Sequence, residues 1–158
     1  MNIVDLIYNV RKDLVNLQQV LDTVRNNILS NSKSEVLLKG KTVRQANIEQ
    51  PALFGYYDEI RVHLKTLSDY MEIRINESKA KTLKMISEQS SIEYGERLRE
   101  KLVDEDPTYI EYKLKKLEVD EVLELTKSIC TQFESRGYAL ANISKCLAAQ
   151  AQDEHIYL

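Results

Sequence analysis

Arg74, Lys79, Lys81 and Lys84 follow one another along a single stretch of this chain, with Glu77 the only acid among them. A second run, Lys33, Lys39, Lys41 and Arg44, is diluted only by Glu35 and nearby serines. Successive cations can track a phosphate backbone through Coulomb attraction and the release of condensed counterions. Unpaired bases stack on aromatic faces, and Tyr56, Tyr57, Tyr70 and Tyr94 are the candidates for that work. Arg97, Arg99 and Lys101 add a third cationic group, but Glu93, Glu96 and Glu100 offset it. The alternative for every charge run is a solvated helix face, and for every Tyr a place in the core.

Other chemistry is sparse. His63 and His155 are the only histidines, and no Cys or carboxylate stands beside either at ligand spacing, so no metal is expected. There is no glycine-rich phosphate loop and no nucleophile elbow, and the carboxylates lie next to Lys or Arg in helical sequence. Neither catalysis nor a cofactor is expected. Cys130 and Cys146 fall in one helix, roughly 24 Å apart at about 1.5 Å per residue, which is beyond disulfide reach. Reduced thiols, no basic and apolar leader, and no apolar run of membrane-spanning length lead to a cytoplasmic expectation with no membrane partner. The net charge of −3 disfavours attraction to nucleic acid over the whole surface while leaving room for a local basic stripe.

The elements that must position these cations are helices. Of 158 residues only four are Gly and two are Pro, so few breakers interrupt the chain. Without Trp, and with two Phe, the core must come from Leu, Ile, Val and Tyr, a composition for long helices packed side by side. The expected class is all-α: an elongated hairpin of long helices, or a coiled-coil assembly, in one domain over residues 1–158.

Ile3, Ile7, Val10, Leu14, Leu17, Leu21, Val24 and Ile28 alternate spacings of four and three, an unbroken heptad stripe over residues 1–30. That stripe packs either on its own chain or on another copy. Ser30 to Ser34 reads as a terminator, and residues 31–50 as a linker, with a small β-hairpin or a loop near residues 36–43. Pro51 opens a basic helical region over residues 51–103, whose Leu53, Tyr57, Ile60, Leu64, Leu67 and Met71 repeat the four-three spacing and whose helix should reach about Met85 or Ile86. Ser90 and Glu93 form a capping-box pattern before a short helix carrying Leu98 and Leu102. Asp106 as N-cap and Pro107 at the first helical position open a long helix to about residue 149, with Gly137 marking a bend or a close approach.

The string Phe133-Glu134-Ser135-Arg136-Gly137-Tyr138-Ala139-Leu140-Ala141-Asn142-Ile143 resembles the close of the UvsY-type recombination mediators of tailed phages. The acidic turn from Asp104 to Tyr109 and the basic helix from Arg74 to Lys84 stand in the same order as that family's elements, so the resemblance covers roughly residues 54–145. It implies a non-catalytic factor that binds single-stranded DNA and helps a RecA-like recombinase replace the single-strand-binding protein, in the host cytoplasm if the gene is phage-encoded. It also implies a homo-oligomer assembled through the C-terminal helix, with Leu125, Ile129, Phe133, Arg136, Leu140 and Ile143 as contacts. The DNA contacts would be Arg74, Lys79, Lys81 and Lys84, joined by Lys39, Lys41 and Arg44. This chain departs from the family at Met85-Ile86-Ser87, where the family has paired tyrosines after its cations. The alternative function is a structural coiled-coil oligomer with no nucleic-acid role.

Overall fold

Asp106 accepts a hydrogen bond from the Tyr109 backbone N–H at 2.8 Å, and Pro107 takes the first helical position behind this cap. The computed structural model describes residues 3–12, 14–89 and 95–156. Its elements are α1 (Ile3–Val10), a short 3₁₀ turn (Leu14–Asn16), α2 (Leu17–Val36), α3 (Val43–Gln89), α4 (Glu96–Asp104) and α5 (Pro107–Ile156). The all-α expectation holds, and no strand occurs among the described residues. No helix among them is long and apolar enough to cross a membrane.

α3 and α5, of 47 and 50 residues, form an antiparallel pair. Side-chain contacts fix the direction: Asn47 meets Ser144, Gln50 meets Arg136, Ser68 meets Asp120, and Arg74 meets Tyr112. The four-three stripe of α3 supplies Tyr57, Ile60, Leu64, Leu67 and Met71 to the core, while α5 supplies Val119, Val122, Leu123, Ile129, Cys130 and Phe133. Tyr57 and Phe133 stack with ring centroids 5.1 Å apart and planes 24° apart. Each such fully buried aliphatic or aromatic side chain is worth roughly 1.5–3 kcal/mol of transfer free energy, so this seam dominates the stability of the hairpin.

The N-terminal stripe packs on its own chain, and its course differs from the expected rod. Ile3, Ile7, Val10, Leu17, Leu21, Val24 and Ile28 are buried in the same core as α3 and α5. The helix nevertheless breaks between Val10 and Leu17, where Lys12 N–H turns back to the Asn9 carbonyl at 3.0 Å. The break lets α1 touch α3 and α2 together, which a straight continuation of α2 cannot do. α2 in turn leans on α5, and Arg25 pairs with Glu121 at 2.9 Å.

The expected terminator and linker are also revised. α2 runs through Ser30–Ser34 to Val36, with Ser30 and Ser34 donating to their own helix carbonyls at 2.7 and 2.9 Å and Ser32 buried. No β-hairpin forms at residues 36–43. Lys41 N–H closes a turn onto the Leu38 carbonyl, and Gly40 takes φ 82°, a conformation other residues rarely adopt. Thr42 and Gln45 then cap α3 reciprocally: Thr42 Oγ1 accepts from the Gln45 N–H and Gln45 Oε1 from the Thr42 N–H, both at 3.2 Å. This box starts α3 ahead of Pro51, which sits on the exposed side of the helix and removes one ladder bond without ending it. Helix continues past Ile86 to Gln89. The Ser90–Glu93 capping pattern lies outside the described residues, and α4 begins after Gly95. Ile75 of α3, Val103 of α4 and Tyr109 of α5 make a second small core at this end.

Candidate nucleic-acid interface

The cations of α3 split between the two sides of the α3–α5 seam. Arg74 and Lys81 are seven residues apart and share a face, whereas Lys79 lies about 140° around the helix from Arg74 at 100° per residue. On one side, Arg74, Ser78 and Lys81 border a groove closed by Thr108 and Tyr112 of α5. On the other, Lys79 joins Lys113 and Lys116 of α5 along a groove of about 380 Å³ floored by Ile75, Tyr109 and Leu117.

These cations are not equally available. Arg74 donates to Glu77 at 2.8 Å, lies 3.4 Å from the Tyr112 hydroxyl, and covers the Tyr112 ring at 5.6 Å. The Tyr112 hydroxyl, ahead of Glu77, holds its guanidinium above the usual value. Lys113 sits 4.4 Å over the Tyr109 ring and 3.7 Å from Asp104, and contact with Tyr109 raises its ammonium pKa. Lys116 is drawn to Asp120 at 2.8 Å and Glu72 at 3.6 Å. Lys84 faces Glu88 at 3.8 Å, an exposed pair of little energetic weight. Lys79 and Lys81 are exposed and form no ion pair with any carboxylate among the described residues, although Glu100 and Asp104 border Lys79.

The second cluster lies at the opposite end of α3. Arg44 precedes Arg74 by thirty residues of helix, roughly 45 Å at about 1.5 Å per residue. The fold therefore does not merge the two groups into one patch. Lys33, Lys39 and Arg44 are exposed, while Lys41 is half-buried and paired with Glu49 at 2.5 Å.

The tyrosines singled out for stacking serve the core instead. Tyr57 is fully buried and donates its hydroxyl to Glu35 at 2.6 Å, and burial first, then Glu35, pushes its pKa far above that of free tyrosine. Tyr56 lies edge-on to Tyr57 and bonds Asn27 at 3.3 Å, and Tyr70 packs against the core. Tyr94 lies outside the described residues. Aromatics that do accompany cations include Tyr109 and Tyr112, exposed Tyr8 beneath Arg11 and Lys12 at 4.9 and 5.5 Å, and buried Phe133 beneath Arg136 at 5.9 Å. The signal for Tyr109 was its spacing of four from Lys113 on a helix.

The residues expected to carry assembly are mostly occupied within the chain. Ile129, Phe133, Arg136 and Leu140 are buried, and Leu125 packs against the core from a half-buried position. Only Ile143 keeps substantial exposure, at 40%. Ile110, Leu114 and Leu117, the last 65% exposed, instead form an open apolar stripe at four-three spacing on α5.

His63 is half-buried, the His155 side chain lies outside the described residues, and no group of three or more candidate metal ligands occurs among those described. Cys130 is buried, which raises its thiol pKa, and Cys146 is exposed. Compared with known proteins, the chain matches no family model, no curated protein and no solved structure.

Proposed function

We propose that the chain is a non-catalytic recombination mediator that binds single-stranded DNA and assists loading of a RecA-like recombinase in place of the single-strand-binding protein. The observation that carries the DNA step is the pair Lys79 and Lys81, unpaired by carboxylates of the described residues and set on either side of the α3–α5 seam beside Tyr109 and Tyr112. Phosphates held by these ammonium groups would place bases along the groove walls, where Leu117 and the tyrosine edges offer apolar contact. Contacts of this kind carry little sequence information and depend strongly on salt. A homo-oligomer would multiply the weak affinity of one subunit. The recombinase and single-strand-binding-protein steps rest on the resemblance of the Phe133–Ile143 string.

Fluorescence anisotropy with an oligothymidylate, titrated in salt and competed with duplex, tests the DNA step. The expected result is salt-sensitive binding that prefers single strands. The Lys79→Ala/Lys81→Ala variant should lose affinity, with a salt slope flatter by about 0.7 per phosphate contact removed. An unchanged slope would remove these lysines from the interface.

A second reading, a structural coiled-coil oligomer without nucleic-acid function, is favoured by the exposed stripe Ile110, Leu114 and Leu117. Absence of binding at low salt by a folded oligomer would select it.

A further inference from the structure

Arg136 has only 4% of its surface exposed, yet its guanidinium is incompletely satisfied. One terminal nitrogen, Nη1, donates to Gln50 Oε1, while Nε and Nη2 are buried without a hydrogen-bond partner among the described residues. The carboxylate nearest to that edge is Glu49, whose Oε2 stands 3.9 Å from Nη2. The same oxygen is held by Lys41 Nζ at 2.5 Å. Two cations therefore share one carboxylate, and the half-buried cation holds it more closely than the buried one.

This arrangement carries a consequence for ligand binding. We propose that Lys41 is a phosphate-responsive site: a backbone phosphate that takes Lys41 releases Glu49 to close on Arg136. The proposal rests on the polyanion reading of the Lys39, Lys41 and Arg44 cluster. A phosphate oxygen competes directly for an ammonium group, because charge-assisted bonds to lysine are not restricted to one anion geometry. Glu49 then needs to move by only about an ångström to hydrogen-bond Nη2 at ordinary N⁺–H···O⁻ distance. A buried guanidinium gains more from a carboxylate than a half-buried ammonium does, since its unmet N–H groups are costly and solvent still reaches and screens the Lys41–Glu49 pair. Arg136 touches Gln50, and Gln50 Nε2 donates to the Phe133 carbonyl at 2.6 Å, so the tightened pair acts on the backbone where α3 crosses α5. Binding at the α2–α3 turn would thus stiffen the hairpin around residues 133–140.

Hydrogen exchange of the full chain, read by mass spectrometry over residues 133–140, tests this with and without an oligothymidylate. Lys41→Ala without DNA imitates the released carboxylate and should slow exchange several-fold. The oligothymidylate should slow it to a similar degree in the unaltered protein, and Glu49→Gln should abolish the response. Both substitutions lie at half-buried positions outside the hydrophobic core. If Lys41→Ala leaves exchange unchanged or speeds it, Lys41 and Glu49 are only a clip for the turn and the shared-carboxylate mechanism is wrong, whatever DNA does. If Lys41→Ala slows exchange while bound oligothymidylate does not, phosphates do not reach Lys41 and the ligand step is overturned. If anisotropy detects no oligothymidylate binding at all, the DNA reading itself has failed, and the Lys41→Ala result still decides the internal exchange of partners.

Discussion

A Cβ placed on Gly137 would stand 3.2 Å from Gln50 Nε2, so the glycine is where α3 makes its close approach to α5. Helix continues through Gly137 without a positive φ, and what its missing side chain provides is room. Gln50 uses that room to donate to the Phe133 carbonyl and to accept from Arg136. Gly137→Ala gains about 1 kcal/mol of helix propensity but displaces a glutamine that holds a buried guanidinium. A hydrogen bond to a charged group is worth about 1.5–3 kcal/mol, so the net effect should be destabilising by about 1 kcal/mol. In a Gln50→Ala background the clash is gone, and Gly137→Ala should stabilise instead. Urea unfolding of the four-member mutant cycle checks the change of sign, and additive effects would show that the approach carries no energy.

Periodicity in the chain reveals the helices and their inward faces well, because burial imposes the same spacing whatever the partner. Ile3 to Ile28 keep their heptad register even across the break after Val10, since both α1 and α2 turn their apolar sides to one core. The break itself was illegible, being set by where α3 lies. The Thr42–Gln45 box was readable but stood beside the stronger punctuation of Pro51. For the candidate interface, charge spacing finds the lysines but not their partners. Arg74 and Lys81 look alike in sequence, one turn either side of Glu77, and the structure separates them: Arg74 takes Glu77 and lies against Tyr112 of α5, while Lys81 takes neither. The tyrosines went astray for a related reason: a Tyr on an apolar stripe is core first, and Tyr57 falls on the stripe of α3.

Tyr57 should make the fold sensitive to alkali. Its folded pKa is raised, so the unfolded chain gives up the phenolic proton first, near pH 10, and stability falls as pH climbs above that value. Tyr57→Phe removes the titration and leaves the ring on Phe133, at a cost of about 1.5–3 kcal/mol near neutral pH for the lost bond to Glu35. Thermal melts between pH 8 and pH 11 should show a shallower decline in the variant, and parallel declines would assign the effect to another group.

Asp120 should contribute to the acid limb of stability. Burial pushes its carboxyl up, but hydrogen bonds from Lys116 and from Ser68, the latter at 2.5 Å, outweigh it and leave the folded pKa below the usual value. The unfolded chain therefore binds this proton more readily. The contribution is complete above about pH 4, near the unfolded value, and disappears as pH falls through the folded one. Asp120→Asn should be less stable than the unaltered chain at pH 6 and converge on it toward pH 2. A constant difference across that range would rule out a titrating role.

Arg74 and Lys81 share a helix face and should part company when tested. Arg74 is committed to Glu77 and to the ring and hydroxyl of Tyr112, so Arg74→Ala removes a clamp between α3 and α5 and should lower stability by about 1 kcal/mol. Lys81 has no carboxylate partner among the described residues, and Lys81→Ala should change the unfolding free energy by no more than about 0.5 kcal/mol. On the proposed function the order should reverse for single-stranded DNA, because an ammonium group without a carboxylate partner turns toward a phosphate at little cost whereas Arg74 must first leave Glu77. Lys81→Ala should therefore weaken oligothymidylate binding more than Arg74→Ala does, once both are compared at a temperature where each is folded. The reverse order would mean that Arg74 exchanges Glu77 for phosphate on binding, and that the groove beside Tyr112 opens to receive the strand.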